Sequence, residues 1–347
     1  MSRRRLEEAL LRSKEMEGSG EDEEYSELFV RHRVHLDKDP HSIYSLRFSP
    51  NGKQLCVGFG NGAIQILNVD NGHVDRTLFS GHRSRQPITA LHYHPKSENL
   101  LVAAGADGLV STYDIKAQIN VCSLTEPENE INALDFCMDG SVFATAGKDR
   151  NIRLYDSHTN EVLNLIEAPH TLYNDDTTLT IGHTRRIFAL KFHPAEHHVF
   201  LTGGWDDSIK VWDKRILREA QRLIPGPHIC GPGIDIQGDR IITASWAARS
   251  ALQLWDFRSG KHLQDVPFPA ATMQGEFLYA AKFCSDNTVL AGGSGTCTAC
   301  AINLNTQEML GDISLSNKAV QTVEAVPGGR VVAVAGVAGN LQIAELC

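Results

Sequence analysis

One two-residue position returns seven times along the chain, each time closing a short apolar run: Leu67-Asn68, Tyr113-Asp114, Tyr155-Asp156, Trp212-Asp213, Trp255-Asp256, Ile302-Asn303 and Ala344-Glu345. The spacings are 46, 42, 57, 43, 47 and 42 residues, close to the roughly 40–45 residues of units built from four short strands. Inside each unit an apolar stretch runs into a turn, as in "IYSLRFSPNG", "ITALHYHP", "INALDFCMDG" and "IFALKFHP". A small-residue strand follows, as in "LLVAAGADG", "SVFATAGKD" and "VFLTGGWDD", and a third strand ends on the dipeptide. A single sheet of this kind cannot bury both faces. The units must therefore stack, and seven of them closing into a ring leave no open end.

The repeat pattern resembles that of the WD-repeat family of seven-bladed β-propellers, over residues 28–347. The fold class it implies is an all-β, seven-bladed propeller of four-stranded blades. The fourth unit carries the family's structural tetrad most fully, with Gly182-His183, Thr202, Asp206 and Trp212. The resemblance implies that the Trp212 indole, the Thr202 hydroxyl, the His183 ring and the Asp206 carboxylate are hydrogen-bonded in series, so that buried polar groups have partners. The second unit has His82, Asp107 and Tyr113 but Ala103 at the hydroxyl position; the third has Thr145, Asp149 and Tyr155 without a Gly-His. The fifth keeps Thr243 and Trp255-Asp256, while units six and seven rest on spacing and strand pattern alone.

The last unit stops at its third strand, "LQIAELC". Residues 28–36, "LFVRHRVHL", alternate apolar and polar with period two and directly precede the first unit, so they are expected to supply the missing outer strand and latch the ring. Residues 1–27 are expected to form a flexible tail with an acidic linker, "GSGEDEEYSE", too poor in apolar residues to fold. They carry five Lys/Arg and nine Asp/Glu of a chain whose formal net charge is −9. Within the tail Leu6, Ala9 and Leu10 share one face of a short amphipathic helix.

That negative charge, without a basic stripe, argues against nucleic-acid binding. No run reaches the roughly 18–20 apolar residues of a membrane span, and the charged start is not a signal peptide. The expectation is a soluble intracellular protein, cytoplasmic, nuclear or both. The eight cysteines show no disulfide framework and suit a reducing compartment.

Catalysis, cofactors and metals are not expected. Cys297 and Cys300 are spaced like half a metal site, but they are expected to lie in a strand, where positions three apart point to opposite faces, and no second Cys pair or spaced His pair accompanies them, so their reading is structural. His193, His197 and His198 follow an "FHP" turn with no zinc-protease helix around them and read as a solvated loop; His92 and His94 read as structural. The glycine-rich "GFGNG" and "AGGSGTC" fall at strand turns and open no helix that could cradle a phosphate. The Phe-Arg-Arg-Gly sequence of phosphoinositide-binding propellers is absent.

Two arginines follow the dipeptide two residues on, in "WDKR" (Asp213, Arg215) and "WDFR" (Asp256, Arg258). In a propeller they emerge side by side on one rim. The two boxes resemble the Trp-Asp-x-Arg motif of WD-repeat substrate receptors of cullin-RING ubiquitin ligases, which implies docking on the damaged-DNA-binding adaptor through Arg215 and Arg258. The tail, with Arg3–Arg5, Leu6 and Leu10, is implied as a docking helix. The plainer reading has each arginine pair with its own Asp213 or Asp256 and hold the strand end, a contribution of about 0–1 kcal/mol. A rival function is a scaffold or peptide reader, whose insertion at residues 167–183 would offer Tyr173 as an apolar anchor and Asp175 and Asp176 to a basic peptide on the opposite rim.

Overall fold

A computed structural model describes residues 25–34, 36, 42–82, 86–169, 182–216, 218–269, 275–326 and 328–347. The tail positions Leu6 and Leu10 and the insertion residues Tyr173, Asp175 and Asp176 lie outside these. The strands form seven separate four-stranded antiparallel sheets. Six are consecutive in sequence, at residues 43–79, 88–125, 131–166, 187–225, 234–265 and 278–314. The seventh combines residues 320–346 with the strand Leu28–Val34.

Burial explains why the sheets must stack. Every apolar cluster is shared by two neighbouring blades: Leu154 and Ile187 between blades 3 and 4, Ile209 and Ile241 between blades 4 and 5. The last cluster joins Ala333 and Ile343 of blade 7 to Ile43 and Leu55 of blade 1, so the ring is closed. The small-residue second strands have a local reason. A β-carbon at Gly147, Gly204, Gly293 or Gly336 would come 2.0–2.1 Å from a backbone carbonyl oxygen of the segment entering the blade. Only glycine allows that approach.

The closing strand pairs antiparallel with the end of the chain, Leu28 opposite Leu346 and Val34 opposite Leu341. Arg31 bonds Glu345 across the seam, and the backbone of Ser26, Glu27 and Cys347 adds three further hydrogen bonds. Tyr25 is buried among residues of blades 6 and 7. Antiparallel order places the turns between first and second strands, and between third and fourth, on one rim. The second-to-third turns and the blade-to-blade connections lie on the other. Among the described residues no helix is long and apolar enough to cross a membrane.

Deleting residues 1–36 is expected to expose the edge of Leu341–Leu346 and lower the melting temperature by ~5 °C or more, read by circular dichroism. Adding a peptide of residues 25–36 in excess should recover most of that loss.

Candidate functional site

The tetrad of blade 4 is a continuous relay. Trp212 Nε1 donates to Thr202 Oγ1 at 2.7 Å, His183 Nε2 lies 2.7 Å from the same oxygen, and His183 Nδ1 lies 2.9 Å from Asp206 Oδ2. Trp212, His183 and Thr202 are fully buried. Blade 5 keeps only the inner half, Trp255 Nε1 to Thr243 Oγ1 at 3.0 Å. Blade 3 solves the same problem with a buried carboxylate, Glu126, absent from the sequence-level reading. Its oxygens accept from Thr145 (2.5 Å), Tyr155 (2.9 Å), Asn129 (2.7 Å) and Arg153 (3.0 Å), and Arg153 carries the network on to Asp149 at 2.6 Å.

Both arginine boxes lie on the rim of first-to-second and third-to-fourth turns. They are not equivalent. Asp213 holds Arg215 through its backbone N–H (2.9 Å), Nε (2.9 Å) and Nη2 (2.6 Å), and this hydrogen bonding holds the Asp213 carboxyl below the usual range. Arg258 does not pair with Asp256, against the plainer expectation. Asp256 instead accepts from Ser259 N–H at 2.6 Å and from its hydroxyl at 2.5 Å, closing its own turn. Arg258 reaches Asp239 of the neighbouring turn through Nε at 2.8 Å. The Arg215 and Arg258 side chains are 61% and 75% exposed. A cleft of about 270 Å³ between blades 4 and 5 has Asp213, Arg222, Phe257 and Arg258 in its walls.

His193 corrects the solvated-loop reading. It is buried at this same seam, its ring 4.6 Å from that of Phe257, and its Nδ1 accepts from the Ala195 and Glu196 amides. The turn after Phe192 folds inward because the imidazole satisfies two amides while its carbons pack on Phe257. Cys297 is a second correction: it precedes the strand Thr298–Asn303, in a left-handed turn at φ 58°. Cys300 is buried, which pushes its thiol up to about 12. Among the described residues no group of three His, Cys, Asp or Glu could hold a metal ion.

The opposite rim offers a different chemistry, which sequence reading missed. A cavity of about 270 Å³ at the mouth of the channel is lined by Tyr44, Asn132, Phe188, Cys230, Tyr279 and Gln321. Trp205 packs on Phe188 at 5.2 Å and carries the Arg186 guanidinium 5.7 Å from its ring. Trp246 packs on Phe277 at 5.1 Å. Both tryptophans are exposed.

A ring of WD repeats that presents two chemically distinct rims is a protein-interaction scaffold in class. The model of the WD domain, G-beta repeat, matches residues 73–114, 119–156 and 176–213. The first two matches span the outer strand of one blade and the inner three of the next, the offset that leaves a strand to be supplied at the seam; the third covers the inner three strands of blade 4. The Anaphase-promoting complex subunit 4 WD40 domain matches residues 30–84. The chain carries WD40 repeats on a seven-bladed propeller. It is 22% identical over 229 residues to Cell division cycle 20.1, cofactor of APC complex, from Arabidopsis thaliana, covering 65% of this chain and 47% of that protein. Meiotic fizzy-related protein 1 of Schizosaccharomyces pombe is 23% identical over 228 residues, 65% and 49% of the two chains. The GATOR2 complex protein WDR24 of Danio rerio is 25% identical over 162 residues, 46% and 19%. In the first two cases the match spans about half the length of the relative.

Replacing Thr202 by Val strips both His183 Nε2 and Trp212 Nε1 of their buried partner. The expected loss is about 3 kcal/mol in urea unfolding. Burial also holds His92, His183 and His193 below the ordinary imidazole value. The unfolded chain then binds protons more readily than the folded one. Stability from these groups is complete above pH ~6.5 and is lost as pH falls from there towards ~4; urea midpoints measured across that window should decline with acidification.

Proposed function

We propose that the protein is a non-enzymatic substrate receptor that docks on the damaged-DNA-binding adaptor of a cullin-RING ubiquitin ligase through the rim carrying Arg215 and Arg258. The observation that supports this most is the state of Arg258. Its side chain is 75% exposed and ion-paired through Nε to Asp239, so its terminal nitrogens remain for a partner's carboxylate or carbonyls, a contact suited to the rigid arginine fork. Arg215 is spent largely on Asp213, and its role is to shape the strand end beside the cleft, with exposed Ile216 alongside. Leu6 and Leu10 complete the proposed adaptor surface. That one relative is named as a cofactor of the APC complex is consistent with a propeller serving a large assembly.

The aromatic mouth favours a second reading, a scaffold or peptide reader of an assembly unrelated to ubiquitin. Trp205, Phe188 and Tyr279 would anchor an apolar side chain there, with Tyr173, Asp175 and Asp176 as further proposed contacts. One rim can hold the adaptor while the other selects the substrate.

Co-purification of the full chain from cells separates these readings. Arg258→Ala should reduce recovery of adaptor and cullin ~10-fold or more, Arg215→Ala should reduce it less, and neither should shift the melting temperature by more than ~2 °C. Trp205→Ala should leave the adaptor bound and deplete other partners. If wild type recovers no adaptor, or Arg258→Ala recovers as much as wild type, the docking assignment fails.

A further inference from the structure

The fifth residue of each innermost strand, or its register equivalent, is charged or ionisable in all seven blades: Arg47, His92, Asp135, Lys191, Asp235, Lys282 and Glu324. These seven side chains meet around the channel. His92 Nε2 stands between Arg47 Nη2 and Asp135 Oδ1, the latter at 2.8 Å. From Asp135 the chain of contacts passes to Lys191 (3.9 Å), Asp235 (3.6 Å), Lys282 (3.8 Å), Glu324 (3.5 Å) and back to Arg47 (3.3 Å). Each blade contributes one member, and each member touches the members of both neighbouring blades.

We propose that these side chains form one closed electrostatic belt that ties each blade to both of its neighbours, with His92 as the neutral member that an alternation of charge over seven positions requires. Around an even ring, cations and anions can alternate without fault. Around seven positions they cannot: one contact must join like charges, or one member must carry none. Here the signs run plus at Arg47, minus at Asp135, plus at Lys191, minus at Asp235, plus at Lys282 and minus at Glu324. Three cations cancel three anions, and the fault falls between Arg47 and Asp135, where His92 sits.

The surroundings suit an uncharged imidazole. The ring is buried, Nδ1 lies 2.5 Å from the Tyr93 carbonyl with Phe136 at 5.3 Å, and Arg47 Nη2, a donor that only an unprotonated nitrogen can accept, faces Nε2. Burial first, and then Arg47, push its pKa to about 4, while Asp135 pulls the other way. Burial alone would raise the Asp135 carboxyl, but Lys191, His92 and Arg47 together hold it well below the ordinary range, so it stays ionised. Two anions also fasten the next blade by its backbone. Asp135 accepts the Phe192 amide at 2.7 Å, and Asp235 accepts the Phe283 amide at 3.0 Å.

A buried belt of this kind adds specificity more than net stability, because desolvation offsets much of the attraction, while a single unpaired or like-charged member is costly. Arg47, Lys191, Asp235, Lys282 and Glu324 also line the wall of a cavity of about 530 Å³ opening on the arginine rim. This inference is independent of the ligase reading.

The test moves the neutral member around the ring. His92→Lys places a fourth cation against Arg47 and should lower the melting temperature of the full chain by ~5 °C or more. His92→Gln, neutral, should lower it by no more than half as much. The Arg47→Gln, His92→Lys double variant restores alternation with the gap at blade 1, and should regain at least half of the loss. If position 92 matters only for shape, the double variant melts below His92→Lys, and the belt is overturned. It is equally overturned if His92→Lys melts as wild type does or if the double variant fails to fold. Should His92→Lys itself not fold, a folded double variant supports the belt.

Discussion

Closure of the ring is the constraint on which everything else depends. A four-stranded sheet with apolar residues on both faces has no stable existence alone. Stacking moves the exposed faces to the two ends of the stack, and only joining those ends removes them. In this chain two devices perform the join. The cluster of Ile43, Leu55, Ala333 and Ile343 buries the last interface, and the strand Leu28–Val34 bridges the termini by pairing with Leu341–Leu346. Because the outer strand of blade 7 is drawn from the other end of the chain, seven blades cohere only when both ends are in place. The polar interior follows the same logic. In blades 3 to 5 tetrad groups or their substitutes pair buried side chains within a blade, and the channel charges connect one blade to the next.

The periodic part of this architecture was readable from the sequence. Strand spacing gave the seven blades, and the period-two alternation of residues 28–36 located the closing strand, observed at Leu28–Val34. What escaped reading depends on contacts between blades or between separate turns. Glu126 replaces a histidine in blade 3 from a position in the connecting segment, and only three-dimensional convergence with Thr145, Arg153 and Tyr155 reveals it. Arg258 was matched to the adjacent Asp256, yet the turn brings Asp239 to it instead. His193 belongs to a turn that reads as a solvated loop, whereas Phe257 of the next blade covers it.

The channel charges left a signal that went unused. In "IYSLRF", "ITALHYH", "INALDF" and "IFALKF" the fifth residue is ionisable each time, inside an otherwise apolar strand. Amphipathic alternation explains a polar residue at one such position. It does not explain a polar residue at the same register in all seven, nor the order of signs from blade to blade. The aromatic mouth was missed for a related reason: Tyr44, Phe188 and Tyr279 belong to three different blades, far apart in sequence, and converge only because all three sit at the second position of an innermost strand.

The two rims thus divide the labour that the fold makes available: one carries paired and exposed arginines around a cleft, the other carries exposed tryptophans around a cavity. The most direct test of the account is hydrogen-exchange footprinting of the full chain bound to the purified adaptor. Protection concentrated at residues 214–221 and 257–261, with the turns around Trp205 and Trp246 unchanged, is the predicted result. Protection confined to the tryptophan rim, or spread evenly over both, would contradict the assignment of the arginine rim as the docking face.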